Sequence, residues 1–331
     1  MPNEAPLLTI AVPTYNRERY LDQLLGTLLE QISGDTRVEL IVSDNASPDG
    51  TQELVAGYLN RGAAIRYIRN ETNVGANRNV LWCYEKALGR YVWIIGDDDL
   101  IEPGTVRRVI DALSGEKYDI LCIRGYSFDG EYSGPRRFTP TSDLEFAKAE
   151  DLARHVHVFF TFISAVIINK ERNSSTSHKP FDSLLDTGLP QLGPFYTALN
   201  HHRRSLLIRD PLVAARGNSN VSYALYRVFG PTLVDITHEW IEKKAIQRAI
   251  INGTIRKFFP YWILMSRKSL ASKVPENPHL VLRSCFGSDL LYWVFDYPIY
   301  ALPLPLAKSW LLGVRVINKL DSLLMNMQVY S

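Results

Sequence analysis

The chain has 331 residues, 46% of them hydrophobic and 22% charged, with a net charge of +2. That is material for one large domain or two modest ones with a full core, and it excludes a disordered chain. So small a net charge also excludes a basic surface on the scale that nucleic acid needs, which leaves room only for a local patch.

At the N-terminus, MPNEAPLLTIAVPTYNR has no basic stretch ahead of its apolar run, and Pro13 and Asn16 interrupt that run. It does not read as a secretory leader. Residues 7–12 read as a first strand, followed by the turn-like Pro13-Thr14-Tyr15-Asn16. Residues 17–32 place Tyr20, Leu21, Leu24, Leu25, Leu28 and Ile32 at helical spacing. Residues 38–42 are a second strand, 44–50 a polar turn and 51–59 a helix. Residues 64–68 are a third strand, 70–75 a loop and 76–88 a helix. Residues 91–95 are a fourth strand that ends at Gly96. Pro103 marks the start of another helix, and residues 120–124 are a fifth strand.

Strands alternating with helices predict an α/β fold, a mostly parallel sheet with helices on both faces. In such sheets ligands lie beyond the carboxyl ends of the strands. From 125 to 150 the pattern loosens. Residues 159–168 are apolar, and 169–180 form a polar loop. From residue 228 onward the pattern turns helical, with aromatic clusters at 258–262 and 290–300. A boundary near Arg227 divides the chain into residues 1–227 and a helical C-terminal region, 228–331. Nowhere do 18 apolar residues run together, so no spanning helix is expected. Residues 304–330 carry Lys308, Arg315 and Lys319 on a helical pattern. This suits either an interfacial helix on anionic lipid or plain packing. Cys83, Cys122 and Cys285 lack metal-ligand spacing and read as buried thiols of a reducing, cytoplasmic compartment. His155, His157, His201 and His202 lack convincing metal partners.

Four polar segments follow strands. Gly96-Asp97-Asp98-Asp99 sets three mutually repelling carboxylates at a strand end, where a counter-charge is required. Mg²⁺ or Mn²⁺ would supply it and would neutralise a diphosphate. A solvated turn capping the next helix fits the triplet equally. In Ser43-Asp44-Asn45-Ala46-Ser47-Pro48-Asp49-Gly50-Thr51, Asp44 can accept from a nucleobase or ribose, and a plain N-cap turn is the competing reading. In NETNVGANRN, Gly75 permits close approach and Arg78 offers a forked cation to phosphate; a loop and helix start is the alternative. Pro13 to Arg17 could turn amides toward a nucleotide or simply cap a helix.

Taken in order, AVPTYNR, LIVSDNASPDGT, NETNVGANRN and WIIGDDDLIEPG resemble family 2 glycosyltransferases of the GT-A (Rossmann-like) fold over residues 8–104. Within that family, FISAVIINKER (162–172) and DPLVAARGNSN (210–220) resemble the abequosyltransferase-like members that build bacterial O-antigen. The resemblance implies transfer of a hexosyl or deoxyhexosyl group from a nucleotide diphosphate sugar to an acceptor hydroxyl, with inversion. The acceptor would be a saccharide or lipid-linked saccharide, and the enzyme would work at the cytoplasmic face of the inner membrane, in peripheral contact with it.

By the same resemblance, Pro13, Tyr15, Arg17, Asp44, Asn45, Asn73, Gly75, Arg78, Asp97 and Arg216 would bind the donor. The metal would fall to Asp98 and Asp99. Aligning Ile101-Glu102-Pro103 sets Asp98 at the second acidic position of the usual DxD and Gly96 at the first; a shift of one makes Asp97 and Asp99 the pair instead. The chain departs from the family downstream. Pro190-Gln191 stands where a Glu-Asp pair with the catalytic base is usual. Asp186 is the nearest carboxylate and Asp182 the next, and an ordinary loop carboxylate fits Asp186 as well. The missing pair keeps open a non-catalytic nucleotide-sugar-binding protein of the same fold. A nucleotidyltransferase is the other alternative, but it would show a glycine- and basic-rich N-terminal loop that AVPTYNR lacks.

Overall fold

The computed structural model describes residues 5–115, 117–174, 180–217, 224–269 and 276–329, with side chains as far as Leu323. Strand β1 (Leu8–Thr14) is buried along almost its whole length, as expected of a central strand covered on both faces. Helix α1 (Glu18–Ile32) buries Leu21, Leu24, Leu25, Leu28 and Ile32 in one stripe. Each such side chain contributes roughly 1.5–3 kcal/mol when fully buried. The stripe therefore outweighs the missing side-chain cap at Arg17, a loss of about 1 kcal/mol. β2 (Val38–Asp44), α2 (Thr51–Asn60), β3 (Ile65–Arg69), α3 (Ala76–Lys86) and β4 (Tyr91–Ile94) continue the alternation. These four strands pair in parallel in the order β3-β2-β1-β4. Their register aligns the carboxyl ends: Thr14 stands opposite Asp44, and Asp44 opposite Arg69.

Next come β5 (Leu100–Ile101), α4 (Thr105–Gly115), β6 (Ile120–Phe128), β7 (Leu144–Phe146), α5 (Ala149–Val156), β8 (Val166–Asn169), α6 (Lys170–Ser174), α7 (Leu192–Asn200) and β9 (Ser205–Arg216). Here the sheet becomes mixed. β8 enters antiparallel between β4 and β6, β9 runs parallel to β6, and β5 and β7 pair antiparallel to β9. The apolar run at 159–168 thus ends in a strand, and residues 170–174 of the expected polar loop form a helical turn. β9 is illegible in the sequence because Arg209-Asp210-Pro211 breaks its apolar pattern. The chain absorbs that break as register shifts between Ile123 and Gly125 on β6, the sort of irregularity where a strand proline is tolerated.

The chain forms two compact units, Met1–Ala147 with Phe160–Ser219, and Lys148–Phe159 with Asn220–Ser331. The first holds the sheet. The second is helical, with Ile246, Ile250, Ile255, Phe259, Leu282 and Ile299 fully buried in its interior. Its helices include Leu233–Trp240, Lys244–Gly253, Phe259–Ser269, Pro278–Phe286 and Leu304–Val329. The aromatic clusters divide by helical facing: Phe259 and Tyr292 are buried, whereas Tyr261 and Trp293 are exposed.

Candidate active site

The carboxyl end of β1 and the start of α1 meet the acidic triplet that follows β4. Thr14 Oγ1 donates to Asp97 Oδ2 at 2.8 Å. Arg17 Nη1 lies 3.0 Å from Asp97 Oδ1 and 2.9 Å from Asp98 Oδ2, so one nitrogen bridges two carboxylates. Asp99 is held from the other side: Ser164 Oγ donates to its Oδ2 at 2.5 Å and the Arg216 amide to its Oδ1 at 3.2 Å. The same Ser164 hydroxyl accepts from the Gly96 amide, and its carbonyl accepts from Trp93 Nε1. Asp97 and Asp99 are almost wholly buried. Burial pushes Asp97 up to about 6, against the pull of Arg17 and Thr14. Asp99 is pushed up to about 7, again mainly by burial and against its bond from Ser164. The mutual repulsion read in the sequence is thus met by one arginine, two hydroxyls and the Arg216 amide.

Asp98 differs from its neighbours in keeping 16% side-chain exposure. Its Oδ1 has no hydrogen-bond partner among the described residues, and no cluster of three or more metal-ligating side chains occurs among them. The donor set therefore fits a Mg²⁺ or Mn²⁺ ion taking one oxygen from Asp98 and the rest from substrate phosphate and water, a common arrangement for Mg²⁺. It does not fit an all-protein cage. Asp99, the other residue expected at the metal, has both oxygens engaged.

Asp44 is fully buried. It accepts from the Ser47 amide at 2.8 Å, from Tyr67 Oη at 2.6 Å and from Arg69 Nη1. Burial pushes its carboxyl upward, but these donors outweigh that and hold it below the ordinary range. Asp44 thus shapes the loop that follows, where Ala46 adopts a positive φ of 60°. Asn45 bridges that loop to the next: its Nδ2 donates to Asn73 Oδ1 at 2.8 Å, and its Oδ1 accepts from the Val74 amide at 3.0 Å. Gly75, at φ 86°, has open space where a Cβ would stand. Its requirement is one of backbone conformation alone. Tyr15 is exposed, and Pro13 sits on β1 opposite Ser43.

Two arginines expected to bind the donor are engaged within the protein. Arg78 pairs in a fork with Asp182, both contacts at 2.7 Å. Arg216 donates to the Asp98 carbonyl, the Gly130 carbonyl and Gln23 Oε1, at 3.2, 2.8 and 2.8 Å. Its guanidinium also lies over the rings of Tyr20 and Phe128. It fastens the triplet to α1 and to the end of β6. Residues 218–220 of the segment that follows it lie outside the described residues.

The Phe181–Thr187 turn is tied to the start of α3 by the Arg78–Asp182 fork and by Asn77 Nδ2 donating to the Leu185 carbonyl at 2.5 Å. Asp186 is exposed on this turn. No bond joins it to the triplet among the described residues. Gln191, where an acid is usual, donates to the Thr161 carbonyl at 2.8 Å. Sequence reasoning missed Thr14, Tyr67, Arg69 and Ser164. Thr14 and Ser164 lie inside quoted motifs, but a lone hydroxyl carries no signal until its partner is known.

The fold is that of the GT-A glycosyltransferases. A 349-residue portion of Staphylococcus aureus TarS in complex with UDP superposes with a TM-score of 0.60 at 18% identity, over 92% of this chain and 87% of that one. The mannosyltransferase PcManGT of Pyrobaculum calidifontis, in complex with GDP-Man and Mn²⁺, gives 0.54 at 16%, over 99% and 86%. At sequence level, the model of glycosyl transferase family 2 matches residues 9–172. The abequosyltransferase RfbV of Salmonella typhimurium is 30% identical over 65% of this chain and 68% of its own length. The chain belongs to glycosyltransferase family 2 and is a glycosyltransferase.

Proposed function

We propose that this enzyme binds a nucleotide diphosphate sugar along the carboxyl ends of β1, β2 and β4. It then transfers the sugar, with inversion, to a hydroxyl of a lipid-linked saccharide at the cytoplasmic face of the inner membrane. The setting is synthesis of an O-antigen-like surface polysaccharide, which the similarity to an abequosyltransferase supports. Residues 1–227 carry the transfer, and residues 228–331 bring it to the membrane surface.

The observation that carries this reading is Asp98, the one partly exposed carboxylate of the triplet, set beside Arg17. A divalent cation bound there would offset charge on the departing diphosphate. Asp97, with Thr14 and Arg17, fixes the strand end to which the donor docks. Asp44 acts from within, by holding the Ser47 amide, Tyr67 and Arg69 in place beside the nucleoside. In the chemical step Asp186 takes the proton of the acceptor hydroxyl. That oxygen bonds to the anomeric carbon as its bond to the diphosphate oxygen breaks, and the diphosphate leaves with its electron pair.

The test is a thermal-shift screen of nucleotide sugars with and without Mn²⁺, followed by turnover of the donor that binds. A ligand selective for the native state raises the melting temperature. The expected result is a donor shift that needs Mn²⁺ and disappears in Asp98→Ala, with turnover down by at least about 10²-fold. An unchanged Mn²⁺-dependent shift in that variant removes Asp98 from the site.

A further inference from the structure

The helix Leu304–Val329 has 26 residues, about 39 Å at 1.5 Å per residue. One stripe of it, Ala307, Leu311 and Val314, is buried. Asn318 continues that stripe and donates to the Arg256 carbonyl, and Asp321 pairs with Arg256 at 3.2 Å. A second face of its described residues is apolar yet uncovered. Leu306, Trp310, Ile317 and Leu320 follow one another at helical spacing, and Leu312, Val316 and Leu323 widen the band, all 43–60% exposed. Trp310 Nε1 donates to the Val294 carbonyl at 3.0 Å. That bond joins the band to Leu290, Trp293 and Val294, which are also exposed. Along one edge run Lys308, Arg315 and Lys319, exposed and without an acidic partner among the described residues. Asp321, the one acid in the described part of the helix, faces inward to Arg256.

We infer that this face docks on a lipid bilayer rich in anionic headgroups, with the helix lying in the interface plane. A contiguous exposed apolar band of this extent marks an interaction surface. No helix among the described residues is long and apolar enough to cross a membrane, so the geometry is that of an amphipathic helix resting on one. An exposed tryptophan within the band and a row of cations along the band's far edge match the headgroup region. A second copy docked face to face would instead bring three more cations to the same seam, with no acid among the described residues of the helix's exposed face to answer them. The inference deepens the membrane-acceptor reading and rests on it for its purpose, but its evidence is this face alone.

Flotation of the full-length chain with phosphatidylglycerol-containing and phosphatidylcholine vesicles, without donor or acceptor, tests it. The anionic vesicles should carry the protein, and added salt should weaken binding only in part. Trp310→Ser with Ile317→Ser should lower the partition at least about tenfold while the melting curve and donor-induced thermal shift stay as in the parent. Changing Lys308, Arg315 and Lys319 to Gln should lower binding to anionic vesicles alone, by roughly fivefold per cation. A folded full-length chain that ignores anionic vesicles overturns the inference, as does a double variant that binds like the parent. So does a dimer that falls apart in the double variant with no vesicle binding at all. Donor hydrolysis, measured separately, reports on the transferase reading, so the two can fail independently.

Discussion

Arg17 Nη1 sits 3.0 Å from Asp97 and 2.9 Å from Asp98, and this single nitrogen is the positive charge that holds the two carboxylates together. The contact joins the start of α1 to the end of β4, some 80 residues apart in sequence, and makes the first loop part of the triplet. Burial disfavours the guanidinium's charge, but the two aspartates more than restore it.

Arg17→Ala should therefore weaken donor binding about 10–100-fold, because the buried Asp97 loses its cation at the strand end where the donor is proposed to dock. Arg17→Lys should recover only part of that loss, since a compact ammonium on a flexible stem does not reproduce the guanidinium's fixed approach to both carboxylates. The measurement is donor affinity by calorimetry at fixed Mn²⁺. Equal affinity in Arg17→Ala and parent would show that the bridge serves the fold alone.

The second expectation concerns the base. Asp186→Asn should lower kcat by about 10²–10⁴-fold with donor affinity unchanged. Asp182→Asn should have a milder effect on both, because it breaks the fork to Arg78 and loosens the turn that carries Asp186. Fold retention in both variants is checked by circular dichroism. If Asp182→Asn proves the more damaging to kcat at intact donor affinity, the two roles are exchanged.

Titration of the triplet should be visible in stability. Asp97 is held up to about 6 and Asp99 up to about 7 in the folded chain, above the ordinary carboxylate value of about 3.9 in the unfolded one. Between those values the folded state binds the extra protons, so stability is greatest below about pH 4 from these two groups and falls as pH rises toward 7. With chelator present, the melting temperature should drop by several degrees between pH 5 and pH 8, once other titrations are subtracted. Asp99→Asn, which cannot ionise, should flatten part of that slope. A slope identical to the parent's would show that Asp99 is not the buried acid responsible.

The sequence alone determined the parallel core and singled out the acidic triplet at the end of β4 as the place to look for chemistry. Helical and strand periods depend on local spacing, so Leu21 to Ile32 and the apolar runs of β1, β2 and β4 were legible. A carboxylate triplet at a strand end carries its repulsion on its face, which marked residues 97–99 without any partner in view. The tertiary structure decided the rest. Local pattern states that a segment is a strand but not which strand it meets, so the antiparallel entry of β8 and the bulged pairing of β9 with β6 could not be read. Nor could the division of labour within the triplet. Burial and partnership are set by residues distant in the chain: Thr14 and Arg17 for Asp97, Ser164 and the Arg216 amide for Asp99. Asp98 is left as the open carboxylate by what its neighbours have already bonded. The same holds for the last helix, where the sequence left an interfacial helix and plain packing equally open. Only the packing of Ala307, Leu311 and Val314 fixes which face is inside, and therefore leaves Trp310 and Ile317 facing out.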